Sequence, residues 1–189
     1  MKKYTIGIDF GTLSGRCLLA DVETGEEIAT SVLEYRHRVM SETLPDGTRL
    51  GVDWHLQHPG DYLDVLRITI RDVIKQAEIR PEQVIGIGID TTGCTILPIK
   101  KDGTPLCFLE RWKGSPNAYV KLWKHHAAQP YADKMTETAL ARNEKFIQRY
   151  GGKISSEWMF PKIWQVLDES PEIYEDTDAF LEVTDWIVM

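Results

Sequence analysis

The sequence predicts an α/β domain in which a mixed sheet begins as an antiparallel meander and is flanked by helices. Three short segments rich in β-branched and aromatic residues, at 3–9, 15–22 and 28–35, are separated by close turns, which is typical of consecutive antiparallel strands. Residues 59–77 then carry apolar side chains at helical spacing, and residues 84–90 form an apolar run of strand length. Because a helix commonly connects two parallel strands, these elements predict a crossover onto a further strand of the same sheet.

The segment 36–58, between the third strand and the first helix, is rich in turn residues. Its strongest turn signal is Leu44-Pro45-Asp46-Gly47, because proline and glycine each favour turn conformations. We expect this segment to be an ordered excursion over the sheet surface.

The rest of the chain is predicted to be mainly helical after two more strands. We expect the strand at 84–90 to be buried, because its run of apolar residues is not interrupted by polar ones. The further predicted elements are a strand at 95–99, helices near 117–128, 130–142 and 156–168, a short strand at 180–183 and a helix from Asp185. No repeat or linker divides the sequence, so we expect one domain over residues 1–189. The chain stops within an apolar helical pattern and therefore looks truncated.

Composition and charge narrow the classes of protein to consider. A net charge of −7 over 189 residues argues against a general nucleic-acid-binding surface, which needs a basic face. No apolar run approaches the ~20 residues that span a bilayer, and no apolar segment of a signal peptide follows the first lysines. The three cysteines show no CxxC spacing, which indicates reduced thiols. We therefore expect a cytoplasmic protein without nucleic-acid or membrane partners.

The most informative short motif is the DFGT turn that follows the first strand. Gly11 lets the backbone approach a ligand closely. The hydroxyls of Thr12 and Ser14 and the guanidinium of Arg16 can bind phosphate oxygens. Asp9 would repel a phosphate, so its sensible role is to hold hydrated Mg²⁺ that bridges to the phosphates. The alternative is an ordinary β-hairpin in which Asp9 and Thr12 satisfy turn amides.

In this context the chain resembles the FGGY carbohydrate kinases, which have an actin-like, ribonuclease-H-like fold, and within them the ribulokinases. The resemblance rests on blocks spread through the sequence, namely 35–37, 54–59, 85–90, 105–107, 119–129 and 149–158. It covers essentially all 189 residues, and its later blocks are long and specific. The resemblance implies an N-terminal lobe that uses ATP and Mg²⁺, with Asp9 on the metal and phosphate side.

The resemblance also implies a sugar-binding wall after the strand at 84–90. Thr92, Gly93 and Cys94 are the candidates, at the carboxyl end of a strand, where open α/β sheets bind their ligands. Ribulokinases often have an aromatic residue and an alanine near Thr92 and Gly93, so this sequence departs from the pattern where the fine sugar preference is set. The alternative is a turn between strands in which Cys94 is a small packed residue.

Trp123 and Lys124 are further candidates for sugar binding, on the helix predicted at 117–128. A tryptophan can pack against the apolar face of a sugar, and a lysine can donate to its hydroxyls. For Trp123, packing in the core is the alternative.

Four histidines are candidates for metal ligands. His125 and His126 would point about 100° apart on a helix, which is a poor arrangement for binding one ion. His55 and His58 are three residues apart and lack an evident third ligand. No zinc site is therefore predicted.

The reaction implied by the resemblance is transfer of the γ-phosphate of ATP to the 5-hydroxyl of L-ribulose, a step of L-arabinose catabolism. In this family the catalytic aspartate and the adenosine pocket lie in later sequence, so residues 1–189 are predicted to be inactive alone. The alternatives are another FGGY sugar or polyol kinase, such as a xylulokinase-like enzyme, and a non-catalytic nucleotide-binding or interaction module. The sequence leaves the oligomeric state open, a homodimer included.

Overall fold

The computed structural model describes residues 2–189, which form two compact units. The first unit consists of residues 2–38 and His58–Thr92, and the second of Val39–Gln57 and Gly93–Ile187. The chain thus passes from one unit to the other at 38–39, 57–58 and 92–93. Because each unit is assembled from separated stretches of sequence, no single linker marks the division.

Regular secondary structure accounts for most of both units. The strands are β1 Tyr4–Phe10, β2 Ser14–Asp21, β3 Glu27–Glu34, β4 Leu56–Gln57, β5 Val84–Thr91, β6 Ile96–Ile99, β7 Val120–Lys121 and β8 Ala179–Glu182. The α-helices are α1 Pro59–Gln76, α2 Gln129–Ala141, α3 Met159–Glu169, α4 Pro171–Asp176 and α5 Val183–Ile187. Within residues 2–189, no helix is both long enough and apolar enough to span a membrane.

The first unit is a sheet of order β3-β2-β1-β5 with α1 packed on one face. The strands β1, β2 and β3 pair antiparallel, and β5 pairs parallel with β1, which confirms the meander and the crossover. Along β1 every second side chain is buried, as a sheet with one covered face requires. The helix lies so close to β2 that a Cβ on Gly15 would be 2.4 Å from Cγ1 of Val65.

The expectation that residues 84–90 form a buried strand is wrong. Ile85 and Ile87 are 56% and 54% exposed. The reason is topological: within residues 2–189, β5 pairs only with β1 and forms the edge of its sheet.

The second unit is built around a sheet of order β4-β7-β6-β8. Most of segment 36–58 belongs to this unit, where Met40 and Leu56 exchange two main-chain hydrogen bonds of 2.9 Å. The segment therefore supplies β4 and the buried side chains of Met40 and Leu44, and is not an excursion of the first sheet. The helices predicted near 130–142 and 156–168 are confirmed as α2 and α3.

The helix predicted at 117–128 is wrong. Pro116–Ala118 form one 3-10 turn, Val120–Lys121 form β7, and Trp123 and Lys124 lie in a turn. Pairing of β7 with β4 and β6 outweighs the helical preference of the sequence, because packing context overrides local propensity.

Candidate functional site

The DFGT turn is held by main-chain hydrogen bonds. The N–H of Gly11 donates to the carbonyl of Ser14 at 2.9 Å, and the N–H of Thr92 donates to the carbonyl of Phe10 at 3.1 Å. The turn is therefore closed on itself and tied to the residue that follows β5.

Three charged side chains stand in a row across the sheet beside this turn. Asp9 of β1 is the cross-strand partner both of Arg16 of β2 and of Asp90 of β5. All three are exposed, on the face opposite α1. Directly opposed residues on neighbouring strands have Cβ atoms about 5 Å apart, so two carboxylates and one guanidinium share a site under a cavity of about 390 Å³.

A pair of glycines forms the floor of this cavity. Gly7 and Gly88 are partners in the parallel ladder. No atom lies within 4 Å of a Cβ built on Gly7, and the nearest atom to one built on Gly88 is the Ile6 carbonyl oxygen at 4.0 Å. A side chain at either position would fill the cavity, so the glycines leave room for a ligand to lie against the backbone.

The structure brings only part of the predicted phosphate site to this cavity. Asp9 and Arg16 line it. Gly11 and Thr12 lie in the adjoining turn, Ser14 begins β2, and all three are outside the lining.

The predicted sugar-binding residues after β5 are divided between the units. Thr92 is the last residue of this part of the first unit, and Gly93 and Cys94 begin the second. Gly93 faces open space. Cys94 adopts a left-handed φ of 57°, which costs a non-glycine residue of order 1 kcal/mol. Burial raises the pKa of the Cys94 thiol, which favours the interpretation of a packed residue over that of a nucleophile.

Trp123 and Lys124 lie in the turn that follows β7 in the second unit. The side chain of Trp123 is 38% exposed, which argues against the alternative of core packing, and Lys124 is half-buried. The turn therefore presents an aromatic ring and an ammonium group for contact with a ligand.

Comparison with known proteins places this geometry in a family. The profile of the FGGY family of carbohydrate kinases, N-terminal domain, matches residues 4–189. The chain belongs to the FGGY family of carbohydrate kinases. The ribulokinase of Shouchella clausii (strain KSM-K16) is 57% identical over 189 residues, which are 100% of this chain and 34% of the relative. The chain thus spans about a third of the length of the curated relatives it matches.

Solved structures show the same fold at low sequence identity. The xylulose kinase of Rhodospirillum rubrum matches with a TM-score of 0.75 at 15% identity, over 99% of this chain and 33% of that protein. A Plasmodium falciparum glycerol kinase with ADP matches with a TM-score of 0.70 at 16% identity, over 99% of this chain and 34% of that protein. These matches confirm the predicted actin-like, ribonuclease-H-like α/β fold.

The residues of the first-unit cavity fit the phosphates of a nucleotide together with a divalent metal ion. Asp9 and Asp90 offer the carboxylate oxygens that Mg²⁺ prefers, and Arg16 is a cation suited to phosphate oxygens. The glycine floor leaves the space that a phosphate chain needs.

Two residues beside the predicted site residues, Asp90 and Lys162, are not predicted from the sequence. Asp90 was visible only as the end of an apolar strand, and its register opposite Asp9 was the signal that could have found it. Lys162 of α3 donates to the carbonyls of Cys94 and Leu122. No local sequence pattern indicates that link, because 68 and 40 residues separate the partners.

A buried polar network lies close to Trp123 and Lys124 in sequence. Lys121 is 2% exposed, and its ammonium donates to Oδ1 of Asn117 at 2.7 Å and to Oε1 of Gln165 at 3.1 Å. Both amides donate in turn to the carboxylate of Glu169, at 3.5 Å and 3.2 Å. Burial lowers the pKa of Lys121 to about 7, while the Glu169 charge raises it. The two amides thus bridge a buried lysine to a carboxylate and fix β7 against α3.

His125 and His126 turn toward different partners. Nε2 of His125 lies 2.8 Å from Oε1 of Gln165, and burial lowers the pKa of this imidazole to about 2. Nδ1 of His126 lies 3.1 Å from Oγ of Ser156. Each imidazole is therefore within hydrogen-bond distance of a different side chain.

His58 is grouped with His37 and Asp61, a combination that the sequence interpretation missed. The possible ligand atoms of the three residues lie within 4.8 Å of one another. Both oxygens of Asp61 are already engaged, at 2.8 Å from Nδ1 and 3.1 Å from the main-chain N of His37. Nδ1 of His58 accepts from the N–H of Gly60 at 3.1 Å. The two imidazoles are stacked 4.2 Å apart, so their in-plane lone pairs do not converge on one point. The cluster caps the start of α1.

Proposed function

We propose that this chain is the N-terminal part of an ATP-dependent kinase that transfers a phosphate to the 5-hydroxyl of L-ribulose, a step of L-arabinose catabolism. The observation that carries the proposal is the 57% identity to the Shouchella clausii ribulokinase over the whole chain. Membership of the FGGY family supports a sugar as acceptor, and a glycerol kinase with ADP shares the fold.

In this proposal the first-unit cavity handles the phosphates of ATP. Mg²⁺, when bound, would neutralise the charge of the phosphates. Asp9 would hold the ion through water, and Asp90, its neighbour in the sheet, would contact the same hydration shell. Arg16 binds phosphate oxygens directly. Thr12 in the turn and Ser14 at the start of β2 contribute hydroxyl donors, and Gly11 allows close approach to the backbone.

The sugar is proposed to contact the segments Thr92–Cys94 and Trp123–Lys124. The backbone at Gly93 is open to a substrate, and the exposed ring of Trp123 can stack on the apolar face of a sugar. Lys124 can donate to sugar hydroxyls. We assign the base that takes the proton of the attacking hydroxyl to sequence outside residues 1–189, and we place the enzyme in the cytoplasm, where its free cysteines would stay reduced.

The proposal is tested by ADP formation in a coupled assay with the full-length enzyme and a panel of L-ribulose, D-xylulose and glycerol. We expect kcat/KM for L-ribulose to exceed the others by about tenfold or more, since hydroxyl geometry decides which acceptor is held in line. A preference for D-xylulose or glycerol would indicate another FGGY activity. ATP binding without sugar-stimulated turnover would indicate a nucleotide-binding module.

A further inference from the structure

The peptide group between Cys94 and Thr95 is held at both ends by side chains of opposite charge. Nζ of Lys162 donates to the Cys94 carbonyl at 2.5 Å, and the N–H of Thr95 donates to Oε2 of Glu182 at 2.8 Å. A peptide dipole is stabilised when its oxygen faces a cation and its N–H faces an anion. Reversal of this peptide would turn the carbonyl toward Glu182 and the N–H toward Lys162, so the two charges fix one orientation.

The backbone at this point needs such support. Cys94 has a φ of 57°, a conformation that persists in non-glycine residues only where the surroundings determine it. The hydroxyl of Thr95 adds a hydrogen bond of 3.3 Å to the carbonyl of Gly93. The turn is therefore fixed by contacts on both sides of its strained residue.

The same ammonium joins this turn to a second segment. Nζ of Lys162 also donates to the carbonyl of Leu122 at 3.0 Å. The residue after Leu122 is Trp123, whose ring is more than a third exposed. One side chain of α3 thus connects the backbone beside Gly93 with the backbone beside Trp123.

Lys162 occupies a costly position for a charge. Its side chain is 0% exposed, and both acceptors of its hydrogen bonds are main-chain carbonyls. Burial lowers the pKa of this ammonium to about 8, while Cys94, Glu182 and Glu157 act in the opposite direction. Burying an amine against carbonyl groups brings little net stability, whereas it fixes the direction of two peptide groups.

We propose that Lys162 and Glu182 are positioning residues that hold the Gly93–Cys94 turn and the Leu122–Trp123 segment in the arrangement that binds the sugar. This inference rests on the proposed function, because it takes these two segments as the sugar-binding wall. Neither side chain is required to touch the substrate. Their effect on the sugar passes through the backbone that they orient.

The test is steady-state kinetics of the full-length enzyme with L-ribulose and ATP varied separately. Lys162→Met keeps the length of the side chain and removes its donors, Lys162→Arg keeps donors, and Lys145→Met is the control on an exposed lysine of the same unit. We expect Lys162→Met to raise the KM for L-ribulose about tenfold, because small displacements of positioning groups have large kinetic effects. The KM for ATP should stay within about twofold. Lys162→Arg should recover most of the sugar affinity, and the control should behave as wild type.

Each outcome decides between the alternatives. A purely structural role would reduce the active fraction, and therefore kcat, without moving either KM, and that result would overturn the inference. Equal changes in both KM values would also overturn it. If Lys162→Met is insoluble, Glu182→Ala and Glu182→Gln give the decision. If Glu182→Ala raises the KM for L-ribulose and Glu182→Gln restores it, the positioning role is supported. An unchanged KM in Glu182→Ala rejects that role. Failure of the proposed function would be seen in the wild-type enzyme, as a lack of turnover of L-ribulose. Failure of this inference would be seen only in the variants.

Discussion

At the scale of single residues, the balance of charge around Asp9 determines what the first-unit cavity can bind. Asp9, Asp90 and Arg16 together carry one net negative charge on a single sheet face. Two adjacent carboxylates repel each other unless a cation lies between them, whereas the guanidinium at the end of the row attracts phosphate oxygens. The row is therefore suited to a phosphate group that arrives with its metal ion.

Replacing Asp9 by asparagine in the full-length enzyme should lower kcat by about 10²-fold, because the carboxylate proposed to hold hydrated Mg²⁺ against the phosphates is lost. The Mg²⁺ concentration needed for half-maximal activity should rise at the same time. Asp133→Asn, at an exposed position of α2, is the matched control. Unchanged phosphoryl transfer by Asp9→Asn would mean that the DFGT turn is an ordinary hairpin.

The capping cluster at α1 predicts a pH dependence of stability. Burial, together with the charge of His37, lowers the pKa of His58 to about 4, below its value of about 6.5 in the unfolded chain. Between these two pH values the unfolded state binds the proton and the folded state does not. Stability is therefore fully present above pH 6.5 and falls as the pH decreases toward 4.

His58→Asn should weaken this dependence, since asparagine is a good N-cap that does not titrate. Urea denaturation of the full-length protein at several values between pH 6.5 and 4 measures the slope. Wild type should lose at most about 1.4 kcal/mol per pH unit more than the variant. Parallel curves for the two proteins would contradict the capping role of the neutral imidazole.

At the scale of secondary-structure elements, β1 and β5 together carry the proposed phosphate site of the first sheet. Their parallel register places Gly7 beside Gly88 and Asp9 beside Asp90. A pair of glycines is therefore followed by a pair of carboxylates along the two strands. Strand alternation puts both pairs on the face that α1 leaves free.

Gly7→Val should separate folding from nucleotide binding. The new side chain enters the cavity and meets no atom of the protein at Cβ, and a β-branched residue suits a strand, so stability should be unchanged or raised by about 0.5–1 kcal/mol. The KM for ATP should rise strongly. Gly86→Val, on the same face of β5 but outside the cavity lining, is the control in thermal unfolding and kinetics. Full activity of a folded Gly7→Val enzyme would show that ATP binds elsewhere.

The order of elements in the first unit was predictable from the sequence, but their packing was not. The strands and α1 of the first unit follow from local period and turn residues, which report on a short window of sequence. The exposure of β5 depends on its place at a sheet edge, and β7 depends on partners at Leu56 and Ile96. Such information lies in distant residues, which is why the local sequence wrongly predicts a helix at Trp123 and gives no sign of the hydrogen bonds of Lys162.

At the scale of the whole molecule, the proposed function makes this chain one part of a sugar kinase. It spans about a third of the length of its curated relatives, and we assign the catalytic base and the adenosine pocket to sequence outside it. Residues 1–189 alone should therefore show no turnover in a coupled ATP assay with L-ribulose, while the full-length enzyme is active in parallel. Circular dichroism would establish that the shorter chain is folded. Robust turnover by residues 1–189 would contradict this division of roles.

The most direct test of the proposed function is the identity of the phosphorylated product. The full-length enzyme is incubated with L-ribulose, ATP and Mg²⁺, and phosphorus NMR locates the phosphate through its coupling to the sugar carbons. We predict L-ribulose 5-phosphate as the product of the wild-type enzyme, and its near-absence with Asp9→Asn under the same conditions. Phosphate at another hydroxyl, no phosphorylated sugar, or an undiminished rate with Asp9→Asn would contradict the claim.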